Sequence, residues 1–135
     1  MSTSKVTYDG SLRTRAIHLR SGSEVISDAP TDNKGKGQAF SPTDLMSTSL
    51  ASCMLTIMGI QAEDLNLNIA GATAEVTKVM ASNPRRVSEI HLNIKMPDQP
   101  FTDREKKVLE QAARTCPVMF SLHPDIQKEV VFNWT

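Results

Sequence analysis

The chain has 135 residues, with 15 basic and 15 acidic side chains and a formal net charge of zero. That length predicts one domain, 1–135, able to bury a core without disulfide staples. No basic block marks a nucleic-acid partner, the start "MSTSKVTYDGSLRTR" lacks the apolar stretch of a secretory signal, and no run of about 18 apolar residues predicts a membrane span.

In chain order, "VTYDG" and "RTRAIHLRSG" read as short strands around a Gly10-Ser11 turn, and "EVISDAP" as a third strand. "TDNKGKGQAF" is a polar, glycine-rich loop. A helix over Pro42 to Glu63 follows. Ser41 is its N-cap, Pro42 takes the first helical position, and Asp44 stands three residues after the cap, a capping box with Asp in place of Glu. This helix is apolar almost all round, and Cys53 lies in its middle, on a line with Met46, Leu50, Ile57 and Ile60.

Two alternating segments come next. In "ATAEVTKVM", Ala72, Ala74, Val76 and Met80 share a parity, and in "VSEIHLNIKM", Ile90, Leu92, Ile94 and Met96 do. With "ASNPRR" as the turn between them, they predict a hairpin with one buried face. "FTDREKKVLEQAARTC" opens a second helix. Thr102 and Glu105 form its capping box, and Leu109, Ala112, Ala113 and Cys116 form its apolar stripe. Pro117 interrupts that helix, "CPVMFSL" continues it as a kinked or restarted piece, and "KEVVFNW" closes the chain as a strand. The order predicts an α+β fold with mainly antiparallel pairing.

Two cysteines without a signal peptide predict a reducing, cytoplasmic setting, where structural disulfides are rare. A lone free cysteine on an apolar helix is ordinarily a small packed hydrophobe. Two of them, each on one of the chain's two long helices, raise redox chemistry as the competing reading. The thiolate is the reactive form, so a nearby cation is required; Arg13, Arg15, Arg20 and Arg114 are the candidates. Composition also leaves a dimer in view, because aromatics are only 4% and a partner chain would help to complete the core.

"FSPTDLMSTSLASCMLTIMGI" together with "ARTCPVMFSLHPDI" resembles the osmotically inducible protein C and organic hydroperoxide resistance (OsmC/Ohr) family, and the likeness covers nearly the whole chain. The resemblance implies antiparallel sheets around two long central helices in an intertwined homodimer, with active sites at the subunit interface. It also implies a cysteine-based peroxidase acting on organic hydroperoxides in oxidative stress defence. Cys53 would be the attacking residue and Cys116 the resolving one. Arg13 from the first strands would hold the thiolate, with Arg15 as runner-up. No bound cofactor or metal is implied; the partners are a second copy of the chain, the hydroperoxide, and an external dithiol reductant, a lipoyl group being the family expectation.

The hydroperoxide-reducing members carry a glutamate at the helix start that pairs with the arginine. Here Thr43 stands in that place, followed by Asp44, which already has a role as the capping residue. The rival reading is a non-catalytic dimeric module binding a small apolar ligand at the subunit interface. A thiol–disulfide exchange protein would favour an exposed C-x-x-C, which is missing. His123-Pro124-Asp125 is a helix stop, "GKG" lacks the spacing of a phosphate loop, and His18, His91 and His123 have no zinc-site spacing.

Overall fold

A computed structural model describes residues 1–134. The chain forms two compact units, residues 1–46 and 47–135. The first holds a three-stranded antiparallel sheet of β1 (Ser4–Gly10), β2 (Arg13–His18) and β3 (Glu24–Asp28), in the order β1-β2-β3. The β1–β2 connection turns through Gly10, Ser11 and Leu12, all at positive φ. Residues 29–40 close back onto the sheet: Ala29 N–H donates to Leu12 O, Asp28 N–H to Phe40 O and Gly37 N–H to Ala29 O. Gly35 is required in this loop, because a Cβ there would lie 1.7 Å from Ala29 O.

α1 runs from Pro42 to Asp64, one residue past the predicted end. Its start is the predicted capping box: Asp44 N–H donates to Ser41 Oγ at 3.1 Å and Ser41 N–H to Asp44 Oδ2 at 2.9 Å. Its buried residues are Ser47, Leu50, Ala51, Met54, Met58 and Ala62. That line differs from the one predicted through Cys53. Leu50 is shared, but Cys53 is only half-buried and Ile60 is 55% exposed. A helix apolar on every side gives no stripe by which to orient it. By length and composition alone α1 is long and apolar enough to cross a membrane. Its buried side chains instead join a protein core.

That core belongs to the second unit. β4 (Thr73–Ala81) and β5 (Arg86–Lys95) form the expected antiparallel hairpin, and β5 buries Val87, Ile90, Leu92 and Ile94. α2 (Asp103–Ala113) carries the full Thr102–Glu105 capping box and buries Leu109 and Ala113. Beyond the break the chain restarts as α3 (Pro117–Ser121). β6 (Gln127–Asn133) then lies beside β5, and this pairing is parallel. Among the described residues three of the four strand pairings are antiparallel, as the mainly antiparallel expectation has it, and β5–β6 is the parallel one. The connection passes through α2 and α3, and a helical crossover returns a strand in the same direction.

Candidate functional site

Two free cysteines come together in the second unit. Cys53 sits in mid-α1, half-buried, beside the core line and not on it. Cys116 sits where α2 ends and α3 begins, and is fully buried. Pro117 creates this position. It cannot extend α2 but suits the first turn of a new helix, so Cys116 becomes the N-cap of α3. Its Sγ accepts a hydrogen bond from Met119 N–H at 3.3 Å. Burial pushes the Cys116 thiol pKa up; the Met119 N–H opposes that, and the neighbouring Cys53 side chain pushes it up again. Cys116 is thus held as a neutral thiol against the more accessible sulfur of Cys53.

Of the predicted arginines, Arg13, Arg15 and Arg20 lie in the first unit, and Arg114 lies in the second, at the end of α2, with its guanidinium carbon 5.5 Å from the centroid of the Phe132 ring. Arg13 and Arg15 share one face of β2. Arg13 pairs across the strands with Asp28, with Nε donating to Oδ1 at 2.7 Å and Nη2 to Oδ2 at 2.8 Å. This fork raises the Arg13 pKa and holds the Asp28 carboxyl below its ordinary range; in each case the hydrogen bond between them is the largest cause. Arg15 has a longer contact, 3.4 Å from Asp9 Oδ1, and is more exposed. Thr43 Oγ1 lies 3.3 Å from Ser41 Oγ. Asp44 serves the cap, as its spacing predicted. The carboxylate that pairs with Arg13 is therefore Asp28, which the sequence reading missed. Its only signal was a place at the end of the strand that follows the arginine's own.

One further cluster lies on the outer face of the second sheet. His91 Nε2 is 3.0 Å from Glu89 Oε1, and Nδ1 is 3.0 Å from Glu129 Oε2. The three residues each offer a ligand atom within 4.8 Å of the others. Two carboxylates occupy both ring nitrogens, so the imidazole is satisfied by protein groups alone.

The sequence matches the family profile described as OsmC-like protein over residues 35–131. A candidate osmotic stress induced and detoxification response protein from Psychrobacter arcticus 273-4 is 61% identical, over 98% of this chain and 96% of that one, and its crystal structure superposes with a TM-score of 0.95. The fold recurs at low identity in two further crystal structures. An OsmC-like protein from Mycoplasma pneumoniae is 18% identical, covers 98% and 95% of the two chains, and has a TM-score of 0.80. An organic hydroperoxide resistance protein OsmC from Legionella pneumophila is 13% identical over 98% of each chain, with a TM-score of 0.75. Among curated proteins, none is similar enough to the chain to count as a match. A profile spanning most of the length and a relative of 61% identity agree with the two cysteine motifs, and the chain belongs to the OsmC-like protein family.

Proposed function

We propose that the chain is a thiol-dependent peroxidase for organic hydroperoxides. The observation that carries this reading is the pairing of two free thiols of unequal exposure, Cys53 half-buried and Cys116 fully buried, with the Cys53 side chain near enough to help raise the Cys116 pKa. Cys53 as thiolate attacks the O–O bond of ROOH. The S–O bond forms, the O–O bond breaks, and the alkoxide takes a proton to leave as ROH. Cys116 then condenses with the Cys53 sulfenic acid, forming the disulfide and releasing water. An external dithiol, for which we propose a lipoyl group, reduces the disulfide and is itself oxidised.

The unequal settings suit the two roles. A thiolate is the nucleophile and a thiol is not, so a raised Cys116 pKa keeps that sulfur protonated until the sulfenic acid has formed. Arg13 is the cation we assign to the Cys53 thiolate and to the leaving oxygen. The apolar residues of α1 favour an alkyl or aromatic hydroperoxide over hydrogen peroxide, because each buried methylene contributes about 0.8 kcal/mol. We assign the active form as a homodimer in the reducing cytoplasm. The relative from P. arcticus, named for osmotic stress and detoxification, agrees with a role in stress defence.

Intact-mass measurement after one equivalent of cumene hydroperoxide tests the cycle. The reduced protein should lose two hydrogens, and Cys116→Ser should hold a trappable sulfenic acid at Cys53. An unchanged mass after minutes would reduce both cysteines to packing.

A further inference from the structure

The cluster on the outer face of the second sheet is built by register. His91 stands between Thr77 of β4 and Glu129 of β6, and Glu89 lies two residues before it on the same face of β5. The register rows from Val79 to Glu75 carry the carboxylates of Glu75, Glu89 and Glu129 on this face and no lysine or arginine; Lys95 enters one row beyond Asn93. Like charges gathered on one face repel unless a cation lies among them.

The contacts of His91 sharpen the point. Nε2 is 3.0 Å from Glu89 Oε1, and Nδ1 is 3.0 Å from Glu129 Oε2. Both are hydrogen bonds only when the ring carries two protons. A neutral ring has one N–H, so its other nitrogen turns a lone pair towards a carboxylate oxygen, and a cation is what fits two such electron-pair donors. Gln127 Nε2 donates to the other oxygen of Glu129, Oε1, at 2.6 Å, which leaves Oε2 for the ring side. Two ligands about 2.1 Å from one ion and at a right angle stand about 3.0 Å apart. The ligand atoms of Glu89, His91 and Glu129 lie within 4.8 Å of one another, and all three side chains are partly exposed, so an ion reaches them from solvent. A groove of about 280 Å³ opens on the Glu129 side, lined by Glu75, Thr77, His91 and Glu129, with Glu89 outside its wall.

We propose that this face binds a divalent first-row cation of the Mn²⁺ type. His91 Nδ1 and Glu129 Oε2 are its ligands, and Glu75 on the same groove wall supplies a further carboxylate. Glu89 accepts the Nε2–H and so fixes the ring and its tautomer, the usual arrangement of a carboxylate behind a metal-binding histidine. One imidazole among carboxylate oxygens suits Mn²⁺, whereas the softer thiols of Cys53 and Cys116 favour zinc. The proposal does not depend on the peroxidase reading.

The reduced protein is titrated with Mn²⁺ alone, followed by the resonance signal of the free ion and by paramagnetic broadening in nitrogen–proton correlation spectra. One equivalent should bind, with broadening centred on Glu75, His91 and Glu129. His91→Ala and Glu129→Gln should each weaken binding by about tenfold or more, and Glu89→Gln by about tenfold through loss of the ring's anchor. Asp125→Asn, beside the single-carboxylate contact of His123, should change nothing. Tm without the ion checks that each variant folds; should His91→Ala fail, Glu129→Gln carries the test. Broadening that needs millimolar ion, spreads over the acidic surface at large or survives in both ligand variants overturns the proposal. Broadening centred on Cys53 and Cys116 gives the ion to the thiols and overturns it equally.

Discussion

Cys53 and Cys116 are neighbours that do not share an environment: the first is half-buried in the middle of a helix, the second fully buried at a helix break. Their reactions with a small alkylating agent should therefore separate. At neutral pH, iodoacetamide should label Cys53 first, and peptide mass mapping should find Cys116 largely unmodified. Cys116 should gain label only as the pH is raised, since burial raises its pKa. The same shift bears on stability. A group with a raised folded pKa contributes stability that is present below the unfolded pKa and lost as pH rises towards the folded one. Cys116→Ala should therefore flatten the alkaline limb of the Tm–pH curve. Equal labelling of both thiols at pH 7 would sink this account.

Asp28 gives the opposite limb. Its carboxyl is held below the ordinary range, chiefly by the hydrogen bond from Arg13. Its contribution is present above the unfolded carboxylate pKa and is lost as pH falls through the lowered folded value. Arg13, with its pKa raised, stays charged throughout. The Tm difference between wild type and Asp28→Asn should be largest near neutrality and shrink in acid. A difference independent of pH would mean that shape, not charge, is what Asp28 provides.

What the sequence makes legible follows the range of the interaction. Capping boxes are local, and both Ser41–Asp44 and Thr102–Glu105 form as their three-residue spacing predicts. The parity of Ile90, Leu92, Ile94 and Met96 gives the buried face correctly, because a half-buried strand alternates. Pro117 marks the break that places Cys116 for equally local reasons. The misses are long-range. The parallel pairing of β6 with β5 depends on how the crossover docks. The Asp28–Arg13 fork depends on a cross-strand register that no pattern within either strand encodes. The buried side of α1 was hidden because the helix is apolar on all sides, so its orientation is set by packing.

Met58 and Thr102 measure two local contributions to the second unit. Met58 is fully buried in α1, so Met58→Ala should cost about 2–5 kcal/mol, seen as a lower urea midpoint with an unchanged slope. Thr102→Ala removes the cap bond to Glu105 N–H and should cost about 1 kcal/mol. Among the described residues no hydrogen bond joins the two sites, so the double variant should be close to additive. A Met58→Ala cost below that of the cap would mean that the buried line of α1 is misassigned.

The first unit predicts the oligomeric state. Its β1–β2 and β2–β3 registers put Val6, Tyr8, Ala16 and Val25 on one face, opposite Arg13 and Arg15. Val6, Tyr8 and Val25 are 62%, 63% and 45% exposed, and among the described residues of this unit the buried ones are Ser27, Asp28 and Ser41. A three-stranded sheet that buries polar residues and exposes its apolar ones lacks a core of its own. A second copy covering this face would supply one, in keeping with the proposed homodimer. Light scattering should give a mass near twice the 14.8 kDa of the chain at micromolar concentration. Val25→Asp places a charge on the face and should shift the population towards monomer while lowering Tm. Asp9→Asn, away from that face, should change neither. A monomeric mass for the wild type across the same range would leave the apolar face without a partner copy and remove the dimer from the proposed mechanism.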